Sequence, residues 1–263
     1  MKQVPIIELR ETKDEFVNGS EITEPQKVLP SRRKDSALRS FYVWMSIVCL
    51  AVAVIGFAPT YWLQLPGATF SGSPLLHLHG ILFTAWTVYL LMQTTLTARG
   101  RVARHRAFGL FGISLATAMV FVGFAVANTT LAVRLEAGYG DRARSFQIAS
   151  ISMIALFAIF VFLAIWYVSR PEIHKRLMLL ATIATLPPAI SRLFFAVNVG
   201  IGPGLRPGIG PPRSIDGVLL PTLLADALIL AGIAYDIRTR GKPHPVYIIG
   251  GAFMVFVHVV RGP

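Results

Sequence analysis

The chain has 263 residues, 54% of them hydrophobic and only 14% charged, and its mean hydropathy is +0.61. Soluble domains carry about 25% charged residues, so this polar fraction is too small to clothe a globule in water. The formal charge of +12 does not point to nucleic acid: residues 1–38 hold seven Lys/Arg and seven Asp/Glu, and the excess lies in short segments between apolar blocks.

Residues 1–38 read as a disordered polar tail that ends in the basic run Arg32, Arg33, Lys34. No apolar stretch occurs early enough for a cleavable signal peptide, so the first apolar block is expected to act as an uncleaved anchor. Residues 39–263 read as one membrane domain, an all-α polytopic membrane helix bundle of about seven transmembrane helices. The predicted helices run over 41–62, 76–98, 107–131, 145–168, 175–197, 217–237 and 245–261. Each approaches the roughly 20 residues that cross about 30 Å of hydrocarbon.

The first helix holds Cys49, the only cysteine, which rules out a disulfide, a C-x-x-C-H haem attachment and a thiolate cluster. The second opens on His77 and His79. Two residues apart on a helix, they point to nearly opposite sides. His79 shares a stripe with Phe83, Trp86 and Gln93 and is expected to face inward, with His77 toward the headgroups. In the fifth helix Pro187-Pro188 must break or kink the backbone, with Thr182 and Thr185 placed to satisfy freed carbonyls. Arg192 follows in the same helix, and Asp226 lies near the middle of the sixth. Ionisable groups at such depth cost at least about 2.5–3.5 kcal/mol, and an Arg192–Asp226 pair between neighbouring helices is the expected compensation. The connection 199–213 is rich in Gly and Pro and reads as a turn-rich loop rather than a phosphate cradle.

The tail with Arg39 and the loops near 99–106, 170–176 and 238–242 carry 18 of the 25 Lys/Arg. The positive-inside rule then puts the N-terminus and these loops in the cytoplasm. Each basic loop contains Arg, three residues, then His: Arg101 and His105, Arg170 and His174, Arg240 and His244. The spacing suggests one anchor helix followed by three hairpins, an arrangement in which the cytoplasmic pairs meet anionic lipid headgroups or a quinone.

The segments His77-Leu-His79-Gly, Arg104-His-Arg-Ala-Phe-Gly109 and Ile173-His-Lys-Arg-Leu-Met-Leu-Leu-Ala-Thr182, with Arg192, resemble uncharacterised bacterial multi-spanning membrane proteins. The resemblance runs from about residue 75 to the C-terminus. It implies the fold and a bacterial inner membrane, and no activity. A weaker resemblance is to membrane cytochromes b: His244, Gly251 and His258 lie along one face of the seventh helix, the histidines about 21 Å apart, with a glycine between them that would leave room for a macrocycle. That family pairs such a helix with a second of the same kind, whereas the second helix here offers His79 and then Gln93. The resemblance therefore implies a single haem b held by His79 and His258, with His105 and His174 serving quinone or lipid.

Three functional readings stay open on these residues: haem- or quinone-linked electron transfer, small-molecule or proton-coupled transport through Asp226 and Arg192, and a non-catalytic role in assembly or as a complex subunit. A zinc or iron site of His77 or His79 with His258 and Asp226 ranks below haem. No lysine lies within the seventh helix, which excludes a retinal Schiff base, and H-E-x-x-H, Walker and G-x-S-x-G sequences are all missing.

Overall fold

A computed structural model describes residues 32–200, 202 and 215–260. The predicted tail up to residue 31 and most of the 199–213 loop lie outside these residues. Among the described residues there is no strand, and the elements are α1 (Arg32–Phe57), a 3-10 turn (Trp62–Gln64), α2 (Pro74–Ala98), α3 (Val102–Ala107), α4 (Gly109–Glu136), α5 (Gly140–Trp166), α6 (Pro171–Ala184), α7 (Pro187–Val199), α8 (Ile215–Arg240) and α9 (Pro245–Val260).

Helix starts follow local chemistry. Pro74, Pro171, Pro187 and Pro245 each open a helix, where the missing N–H has no partner to lose and φ is already helical. Gly100 and Gly241 end α2 and α8 at φ +72° and +75°, a left-handed backbone that a side chain resists. The helix α1 starts earlier than expected, so Arg32–Leu38, assigned above to the tail, is helical.

Six stretches are long and apolar enough to cross a membrane: Ser40–Phe57, Pro74–Ala98, Val102–Glu136, Gly140–Trp166, Pro171–Asn198 and Val218–Arg240. The seventh, α9, has 16 residues, about 24 Å of helix, and is the shortest. Large apolar side chains point outward: Leu110, Phe121, Phe162, Ile249 and Phe256 are 61–73% exposed. In water that surface would aggregate, whereas in hydrocarbon it is the ordinary outer face. The chain is an integral, multi-pass membrane protein.

The expected break in the fifth span is present. The α6 helix stops at Ala184 and α7 restarts at Pro187, with Leu186 N–H donating to the Ile183 carbonyl across the joint. Thr185 Oγ1 donates to the Thr182 carbonyl (2.8 Å) rather than to the Ile183 or Ala184 carbonyl that the prolines free. Thr182 instead takes the indole N–H of Trp86 (3.0 Å) and donates to the Met178 carbonyl, tying α6 to α2. This broken span is the axis of the bundle, since 56% of its most apolar stretch is buried against 22–33% in the other spans. Around it, α6 packs against α1, α5, α8 and α9, and α7 packs against α1 and α8. The α2 helix packs against α1 and α4 instead. Trp86, Phe160, Leu156, Leu180, Ile183 and Met254 fill the centre.

Candidate functional site

The basic loops define one end of the bundle. Here α6 carries Arg176, whose guanidinium is 1% exposed and forks onto Asp236 of α8, itself fully buried. Nε donates to Oδ2 at 3.0 Å and a terminal nitrogen donates to Oδ1. A second terminal nitrogen donates to Glu172 Oε2 (2.7 Å), and Tyr247 of α9 lies under the guanidinium at 5.7 Å. Asp236 Oδ2 also accepts the backbone N–H of His244 (3.2 Å). The His244 ring stands just before α9, with Nδ1 accepting the Val246 N–H (3.1 Å). Burial, reinforced by Arg176 and Arg240, holds the His244 imidazole below the usual histidine range. Arg240 also approaches Glu172 at 3.7 Å.

At the same end His105 and His174 come together, their ring centroids 6.2 Å apart and nearly perpendicular. Each Nδ1 faces an acceptor: Gln93 Oε1 at 2.9 Å for His105 and the Ala164 carbonyl at 2.8 Å for His174. Each ring therefore donates through Nδ1–H, and its neutral form carries a lone pair on Nε2. Gln93 Nε2 in turn donates to the Tyr89 hydroxyl, which donates to the Phe108 carbonyl (3.0 Å). Such a pair can accept from a hydroxyl of a headgroup.

Two of the three Arg-x3-His segments share a local shape: His105 N–H bonds the Arg101 carbonyl and His174 N–H the Arg170 carbonyl, each in a helix's first turn. The third differs. Arg240 ends α8 and His244 precedes α9, because Pro243 and Pro245 prevent a helical turn between them.

Toward the other end the structure pairs Asp226 with His258 of α9 rather than with Arg192. His258 Nδ1 lies 2.8 Å from Asp226 Oδ2, and the two residues are 3% and 5% exposed. The helix α8 packs against both α7 and α9, and its rotation aims the carboxylate at α9. Arg192 bonds the Pro188 carbonyl (3.3 Å) and lies over the Phe57 ring at 4.4 Å. Two buried atoms of the pair, Asp226 Oδ1 and His258 Nε2, have no hydrogen-bond partner among the described residues. Beside them a groove of about 310 Å³ runs between α8 and α9, lined by Asp226, Ile229, Ile233, Tyr247, Gly251 and Val255 among others.

The remaining histidines stay apart. His77, expected toward the headgroups, meets the Tyr61 hydroxyl through Nδ1 at 3.1 Å, and its ring packs edge-on to Phe70. His79 is half-buried against Phe83, in line with Trp86 and Gln93 as anticipated. Its helix α2 packs on α1 and α4, whereas α9 packs on α8, α6 and α5. Gly251 is not room for a macrocycle, since a Cβ there would meet Ile229 Cγ2 at 3.0 Å. Compared with known proteins, the chain matches no family model, no curated protein and no solved structure.

Proposed function

We propose that this protein is a proton-coupled membrane carrier whose working centre is the Asp226–His258 pair. One observation carries the reading. A carboxylate and an imidazole share a hydrogen bond inside the bundle, and each keeps one buried polar atom unsatisfied. A structural tie gains nothing from orphan atoms, each of which costs about 1–3 kcal/mol. A centre that gains and loses a proton needs them, because Oδ1 and Nε2 are the positions where a proton arrives or leaves. An apolar groove lies beside the pair, and the broken span α6–α7, packed against the same α8, supplies a joint about which a solute path would open.

The test needs no solute. Proteoliposomes fused to a solid-supported membrane are given a rapid pH jump, and the charge displaced on proton binding is recorded. The wild-type protein is expected to give a transient that Asp226→Asn reduces at least about tenfold and that His258→Gln slows. A transient unchanged in Asp226→Asn, or none above protein-free liposomes, rejects the reading.

A further inference from the structure

We infer that the α8–α9 groove binds a lipophilic organic cation whose charge rests on Asp226 Oδ1, in competition with a proton at the same atom. The use of the site for exchange rests on the carrier reading above, but the binding does not.

The lining is nearly all aliphatic: Ile229, Leu230, Ile233, Ile248 and Val255, with the Tyr247 ring toward the basic end. A volume of about 310 Å³ lies at the small end of ordinary ligand pockets. Asp226 lines the groove, and its Oδ1 is buried there without a partner, since Oδ2 is taken by His258. In so apolar a setting a bare carboxylate is costly, and only a proton or a cation can neutralise it at Oδ1. Anions are repelled, and a neutral solute of the same shape gains the aliphatic contacts but no charge. A cation with an aryl or alkyl body satisfies both halves of the site.

One carboxylate oxygen cannot hold both guests. Arrival of the cation therefore sends the proton on Oδ1 to water, and its departure takes one back, one for one. The ionisable groups on the helices packed around Asp226 include His258 and Tyr247 of α9, Arg192 of α7 and, about 13–21 Å toward the basic end, Tyr235, Asp236, Arg238 and Arg240 on α8 with Glu172, His174, Lys175 and Arg176 of α6. Of these, His258 bonds Asp226. Arg176 and Asp236 neutralise each other, so neither draws on the groove.

The probe is benzyltrimethylammonium, which has no proton of its own, so any pH dependence of its binding belongs to the protein. The control is neopentylbenzene, the same shape with carbon in place of nitrogen. Equilibrium binding to the full-length protein in mild detergent is expected to saturate for the cation and to be at least about tenfold weaker for the control. Once Asp226 takes up its proton, affinity for the cation should fall about tenfold per pH unit. Asp226→Asn is expected to abolish the pH dependence and weaken binding at least about tenfold. Ala252→Phe, at an exposed groove position that leaves the pair intact, should weaken binding through space alone. No saturable binding by folded wild-type protein, or equal binding of cation and control, overturns the inference. So does affinity independent of pH, or affinity unchanged in both variants. Charge displacement without cation binding overturns it and leaves the carrier reading standing. Asp226-dependent binding without displacement upholds it and removes that reading.

Discussion

Arg176 and Asp236, sixty residues apart in sequence, form a forked ion pair at the basic end of the bundle with almost no exposure of either. The pair closes α6 onto α8, and the Asp236 carboxylate also holds the backbone of His244, which sets where α9 begins. Removing one partner of such a pair leaves an uncompensated buried charge and costs about 3–5 kcal/mol, whereas replacing both with apolar groups is often neutral. Asp236→Asn is therefore expected to lower the thermal midpoint in detergent steeply, with Glu172 rescuing only part of the Arg176 charge. The double variant Arg176→Met/Asp236→Leu should regain most of the loss. A double variant as unstable as the single would mean that the pair is a net stabiliser and not a mutual neutralisation.

The joint between α1 and α7 depends on a glycine. A Cβ at Gly56 would lie 2.5 Å from the Ala189 carbonyl oxygen and 2.6 Å from its carbon, which are backbone atoms with nowhere to go. Gly56→Ala must push the helices apart at the start of α7, two residues beyond Pro187. Overpacking of this kind costs about 1–3 kcal/mol. Gly109→Ala, where a Cβ meets nothing within 4 Å, is the matched control and should leave the melting temperature unchanged. Equal effects from the two would place Gly56 outside any helix contact.

Seven apolar blocks, the Pro-Pro break and the inward stripe from His79 to Gln93 were all legible in the sequence, because hydrocarbon length, proline geometry and helical period act locally. Partner choice was not. Asp226 and His258 were both singled out, yet Asp226 was assigned to Arg192, since α7 and α8 are consecutive; the rotation of α8 that favours α9 leaves no mark in the spacing. In the sequence Arg176 counts among the basic loop residues, and Asp236, which falls at the end of the predicted sixth helix, is not singled out. Pro171 was the available signal: a helix that starts there carries Arg176 more than a turn inside, too deep for a loop. Gly251 illustrates the opposite error, since a missing side chain looks the same in sequence whether it admits a cofactor or a neighbouring helix.

The His105 anchor makes a separate prediction. Gln93 joins His105 to Tyr89 and so to the Phe108 carbonyl, linking α2, α3 and the start of α4. Gly112 makes room for the Tyr89 hydroxyl, where a Cβ would overlap it. Gln93→Leu keeps the volume but strands the His105 Nδ1–H, at about 1–3 kcal/mol. Gln93→Glu restores an acceptor and should recover most of the stability. Proteolysis or hydrogen exchange confined to residues 99–110 would report the loss, and protection unchanged in Gln93→Leu would show that the loop is held by other contacts.

The acid response of the fold can be assigned in part to His244. Burial, then Arg176 and Arg240, keep its folded-state pKa below the unfolded value of about 6.5, and Nδ1 already accepts the Val246 N–H. The sign follows from linkage. The unfolded chain binds the proton first, so the stability this residue contributes is present above about pH 6.5 and is lost as the pH falls toward the lower folded value. Thermal midpoints taken from about pH 8 to about pH 5 should decline. His244→Asn, which keeps an acceptor and cannot titrate, should remove part of that decline while leaving the midpoint at about pH 8 close to wild type. Since the chain holds five other histidines, the measurement is the difference between the two curves. Parallel curves would show that His244 takes up its proton equally in the folded and unfolded states, and the acid loss would then have to come from other groups.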